Sequence, residues 1–116
     1  MTDEPSIDTD MAAVLRALGN EHRLTIMEWL VDPRAHFPKQ RDGDLVDDGV
    51  CVGFITQKIG LSQPTVTVHM QALAAVGLVT SKKIKNWVFY KPDRKALDAA
   101  IHALGQSLGS QSAEDR

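Results

Sequence analysis

Residues 60–70, GLSQPTVTVHM, admit few local conformations. Gly60 suits a tight turn, Leu61 can point into a core, and Ser62 is a good helix N-cap. Pro64 then falls in the first turn of a helix, where its missing N–H costs little. Val66, Met70 and Leu73 follow at spacings of four and three, which makes one stripe of that helix apolar. The pattern predicts a helix over about 63–77, ending near Gly77. Just upstream, Val52, Ile55 and Ile59 mark one side of a shorter helix. Two short helices joined by a glycine-containing turn make a helix–turn–helix.

Downstream, LVTSKKIKNWVFYKP holds two β-rich runs, Leu78–Thr80 and Trp87–Tyr90, around a polar tip at Lys85 and Asn86. A hairpin in that place adds a wing, over about 80–90, to the helix–turn–helix. The expected fold is mainly α with a small β-hairpin: a winged helix–turn–helix, dimeric. Met11, Val14, Leu15 and Leu18 recur at helical spacing before Gly19. Asn20 then caps a second helix, whose buried side is Leu24, Met27 and Leu30 with Ile26 and Val31. Residues 32–49, DPRAHFPKQRDGDLVDDG, read as a long surface loop. A last helix starts near Asp93 and carries Leu97, Ile101, Leu104 and Leu108. The expected organisation is an N-terminal extension at 1–10, one domain at 11–108 and a polar tail at 109–116.

Net charge is −2, but the charge is segregated. Residues 1–57 hold eleven acids against five Lys and Arg, whereas 58–95 hold seven Lys and Arg against Asp93 alone. A basic segment inside an acidic chain suits one surface that meets an anionic partner. With Val66, Met70 and Leu73 inward, Pro64, Thr67, Val68 and Gln71 face outward, and Gln63 and Thr65 lie near the exposed N-terminal end. Gln can pair with adenine in two bonds, Thr can bond to bases, and Val can touch a thymine methyl. Lys82, Lys83, Lys85 and Asn86 are the expected phosphate or minor-groove contacts of the wing. The expected function is sequence-specific binding of a double-stranded DNA operator. The alternative is a winged-helix protein-interaction module, for which the outward helix would carry large apolar or acidic groups; only Val68 fits that description.

The stretches ALGNEHRLTIMEWL, ITQKIGLSQPTVTVHMQALAAVGLVTSKK and NWVFYKP resemble the ArsR/SmtB family of bacterial winged-helix repressors. The likeness runs over about 11–108 apart from the 32–49 loop. It implies a homodimer that binds an operator, represses, and releases DNA on meeting an inducer, whose identity here is unknown. It also implies DNA contacts at Gln63, Pro64, Thr65, Thr67 and Val68, with Pro64 and Val68 departing from the polar residues common at those places. Apart from the family, Leu97, Ile101, Leu104 and Leu108 form a stripe flanked by small Ala residues, expected as a dimer interface, the alternative being that it covers the core of its own chain. A two-fold dimer would present two recognition helices about 34 Å apart, matching successive major grooves.

Cys51 is the one cysteine of the chain. Metal-sensing relatives in the family usually carry a Cys-x-Cys pair at this helix, and Gly53 stands here in place of the second thiolate. One thiolate is a poor site for a soft metal, and Asp98 with His102 lacks the second ligand pair of the family's other arrangement. No metal or cofactor is therefore expected. Cys51 is read as a small packing residue, with single-thiol oxidation as the remaining redox reading. His69 is expected at the edge of the core. No phosphate loop, nucleophile elbow or catalytic grouping is present, so the chain is not expected to be an enzyme. It has no apolar run near the ~20 residues that span a bilayer and no apolar N-terminal signal. The expected location is the cytoplasm.

Overall fold

A computed structural model describes residues 5–109, with side chains from Met11 onward. Residues 1–4 of the expected extension and 110–116 of the expected tail lie outside the described residues. The element order is α1 (Pro5–Leu18), α2 (Glu21–Val31), α3 (Pro33–His36), β1 (Val50–Cys51), α4 (Val52–Ile59), α5 (Gln63–Ala75), β2 (Val79–Ile84), β3 (Trp87–Pro92) and α6 (Arg94–Leu108). The first helix thus starts six residues before Met11, inside the expected extension.

The caps explain where the helices begin. The Asn20 side chain accepts from the backbone N–H groups of His22 and Arg23 at 3.0 and 3.1 Å, starting α2. Asp93 does the same for α6 through Ala96 N–H at 3.0 Å. Inside α2, Ile26, Met27 and Leu30 are buried, whereas Leu24, expected inside, is 48% exposed. Leu24 and Ile26 lie about 200° apart on a helix, so one helix face cannot bury both; the core took Ile26.

The sheet is antiparallel in the order β1-β3-β2. Val50 pairs with Tyr90 and Cys51 with Phe89, while the hairpin runs from Val79 opposite Pro92 to Ile84 opposite Trp87. Alternation gives this sheet two different faces. Val50, Val79 and Tyr90, with Val88 beside them, join the helical core around Ile26, Leu30, Ile55, Val66, Met70 and Leu73. Phe89, on the opposite face, is 2% exposed yet stands apart from that core.

Segment 32–49, expected as a long surface loop, is irregular after α3 but does not lie wholly at the surface, and its Gly43 rests on Phe89. The segment contains α3 and buries Phe37, Gln40 and Leu45. Gln40 accepts the Cys51 N–H through Oε1 at 2.7 Å and donates through Nε2 to the Gly49 carbonyl at 3.0 Å. Gly43 has φ 82°, and a Cβ there would lie 3.1 Å from the Phe89 ring, so a bare backbone lets the segment rest on that ring. A buried amide with its bonds satisfied, together with Phe37 and Leu45 packed in the main core, pins the segment to the body of the domain.

Candidate nucleic-acid interface

Helix α4, the turn and α5 build the candidate surface. Gly60 closes α4 in the left-handed region at φ 78°, which a Cβ would disfavour. Ser62 caps α5: its Oγ lies 3.4 Å from the Thr65 N–H and donates to Thr65 Oγ1 at 2.9 Å. Val66, Met70 and Leu73 are completely buried, which fixes the rotation of the helix. That rotation leaves Gln63, Pro64, Thr65, Val68 and Gln71 exposed and Thr67 half-buried. Val68, at 61% exposure, is the large apolar group of this face. No acidic residue lies on α5.

His69 ties α5 to α2. Arg23 donates through Nη1 to His69 Nδ1 at 3.0 Å and through Nε to the Ala17 carbonyl at 2.6 Å. Arginine can only donate, so His69 accepts with an unprotonated Nδ1. Burial lowers the His69 pKa from its ordinary 6.5, and the charges of Arg23 and His22 lower it further. His69 is thus a neutral strut between helices. Sequence spacing gave no sign of it, because Arg23 and His69 stand far apart in the chain.

The wing differs from the expectation in one respect. Lys82, Lys83, Lys85 and Asn86 are all exposed, and Lys85 takes φ 56° at the tip. Two of the three lysines, however, are paired with segment 32–49. Lys82 Nζ meets Asp48 at 2.5 Å and Lys85 Nζ meets Asp42 at 3.2 Å. Lys91, lower on β3, donates to the Asp47 carbonyl at 2.9 Å. Asp44 organises the acidic turn by accepting from the N–H groups of Val46 and Asp47 at 2.9 and 2.8 Å. These bonds hold the Asp44 carboxyl below its usual value, and Lys82 does so for Asp48. Lys83, opposite Val88, makes no ion pair among the described residues. The charge blocks read separately in the sequence are therefore partners in space.

On α6, Ile101 and Leu108 are 62% and 74% exposed, Leu104 is half-buried, and Leu97 packs against the core. No residue of α6 is buried, although the helix lies beside α1, where Leu15 is 44% exposed. Asp98 and His102 are exposed on α6, and no three His, Cys, Asp or Glu groups gather among the described residues as metal ligands would. Cys51 is half-buried at the start of α4. Among the described residues no helix is long and apolar enough to cross a membrane.

No protein-family model matches the chain. Individual relatives do. An uncharacterized HTH-type transcriptional regulator of Bacillus subtilis, YbzH, is 37% identical over 84 residues, covering 72% of this chain and 84% of its own. A Halobacterium salinarum protein named for the repressor of an arsenical resistance operon, ArsR2, is 31% identical over 90 residues, covering 78% of this chain and 64% of its own. Among solved structures, the homodimeric winged helix–turn–helix DNA-binding domain Mb0332 of Mycobacterium bovis superposes with a TM-score of 0.62. It is 23% identical and the match covers 100% of this chain and 94% of that one. With a glycine turn between two short helices, a packed recognition helix and a hairpin wing in a three-stranded sheet, the chain belongs to the ArsR/SmtB family of winged helix–turn–helix transcriptional regulators.

Proposed function

We propose that this regulator is a homodimeric repressor that reads its operator with the outward face of α5 in the major groove. The observation that carries the reading is the rotation of α5. Three fully buried side chains point Gln63, Pro64, Thr65, Val68 and Gln71 away from the core, with Thr67 at the edge. That face combines amide and hydroxyl groups with one methyl-bearing surface and no acid, a set suited to base edges and thymine methyls. Lys83 and Asn86 are the wing groups left to meet phosphate, and Lys82 and Lys85 join them only when released by Asp48 and Asp42.

The dimer is supported by the unburied α6. Ile101, Leu104 and Leu108, continued by Leu15 of α1, leave an apolar surface that a two-fold related copy would cover. Leu97 serves the core of its own subunit as well. The homodimeric Mb0332 shares the fold. A protein of this kind works in the cytoplasm, on the chromosome. Footprinting on DNA upstream of its own gene, with transcription from that DNA followed in parallel, tests the reading. Two protected half-sites about one helical turn apart, with transcript falling as they fill, are expected. Protection without two-fold spacing, or full protection with undiminished transcript, contradicts it.

A further inference from the structure

On the outer face of the sheet, a cavity of about 410 Å³ opens between residues 40–42, the first turn of α4 and β3. Small-molecule sites usually measure about 300–1,000 Å³. Phe89 and Phe54 supply apolar walls. Trp87 stands at the mouth, 49% exposed, and stacks on no other ring among the described residues. Gly53 keeps the inside open: a Cβ built there meets nothing nearer than Cys51 Sγ at 3.8 Å. The wall at Gln40 is rigid, because its amide is bonded on both sides to Cys51 and Gly49.

The polar groups limit what could enter. Asp42 is engaged by Lys85. Arg41 and Gln57 are exposed, and Arg41 makes no ion pair among the described residues. An indole, two phenyl rings and Arg41, a lining residue without an ion pair among the described residues, together suit a flat ring that carries an anion. We propose that this cavity binds a small planar aromatic carboxylate, its ring against Trp87 and Phe54 and its carboxylate on Arg41.

The cavity touches the elements that would meet DNA: α4 supports the recognition helix, and β3 is half of the wing. Asp42 in its wall also holds Lys85 at the wing tip. An added negative charge at this point lowers the local positive potential, so occupancy weakens DNA binding. That second step rests on the DNA-binding reading above; the ligand site does not.

Calorimetric titration of the DNA-free protein with 2-naphthoate tests the site. One saturable event per chain is expected, and Gly53→Leu, which fills the cavity, should weaken it at least tenfold while thermal stability holds. Arg41→Gln should weaken 2-naphthoate but leave neutral 2-naphthalenemethanol unchanged. Cys51 gives an independent readout, since its alkylation by N-ethylmaleimide should slow as the cavity fills. Absence of saturable binding, or equal affinity in Gly53→Leu, overturns the site. Adding 2-naphthoate to the protein–DNA complex tests the coupling: weaker DNA binding is expected, and unchanged binding overturns the coupling alone. Because the first titration contains no DNA, a failure to bind any operator leaves the ligand result readable.

Discussion

The recognition helix and the wing begin from similar sequence credentials and end in different states. Both are polar on one side, both lie in the basic part of the chain, and both face solvent. Helix α5 is locked by Val66, Met70 and Leu73, and its outward groups face solvent, with Thr65 Oγ1 accepting from Ser62. The wing carries more positive charge, but Lys82 and Lys85 already have carboxylate partners. Exposed ion pairs of this kind contribute little to stability. They restrain the wing weakly, yet they subtract from the charge it offers to phosphate. A count of basic residues along a segment therefore overstates the field at its surface.

The largest expected effect comes from undoing the lock on α5. Met70→Ala removes a fully buried side chain and should cost about 2–5 kcal/mol of stability, measured by chemical denaturation, whereas Lys85→Ala should barely register. Next comes the reading face itself: Thr67→Ala should cost about 1–3 kcal/mol on the operator and little on random DNA. Equal losses on both duplexes would erase the distinction between the two regions.

Releasing the wing sharpens the contrast from the other side. In the double substitution Asp42→Asn with Asp48→Asn, two lysines become available, and the slope of log affinity against log salt should steepen by up to about 1.8. An unchanged slope would mean that the wing stays off the duplex even when unpaired. Among single substitutions, Lys83→Ala should flatten the slope by about 0.9, and Lys82→Ala by much less.

The smallest effect is one of pH. The depressed pKa of His69 means that its contribution to stability is complete above 6.5 and is lost as pH falls through the lower folded value. Melting temperatures should drop on mild acidification, and His69→Gln should remove that part of the drop. The carboxyls of Asp44 and Asp48 are also depressed, from 3.8, so their contacts persist across the neutral range and fail only in stronger acid.

The helix–turn–helix was legible because its determinants are local: a left-handed glycine, a serine cap, and apolar residues four and three apart. The hairpin and the cap of α6 were legible for the same reason. Segment 32–49 was not, because its anchors work at a distance. Gln40 looks like a stray polar residue in a charged loop until the Cys51 N–H is placed beside it, and Phe37 and Leu45 look stray until the main core is. The two-residue β1 is too short to show alternation. Thr67, expected on the outward side, is half-buried at the margin of its face, where a 3.6-residue period does not sort one neighbour from the next. Cys51, read as a packing residue or an oxidisable thiol, is half-buried in the wall of the cavity under the wing.

The central claim is that α5 reads sequence. Fluorescence anisotropy on the duplex upstream of the gene and on a scrambled duplex, for the native chain and for Gln63→Ala with Gln71→Ala, tests it most directly. The account predicts a preference of about a hundredfold or more for the native chain, and a collapse of that preference in the variant with affinity for scrambled DNA retained. No preference in the native chain, or a preference that survives the double substitution, would contradict it.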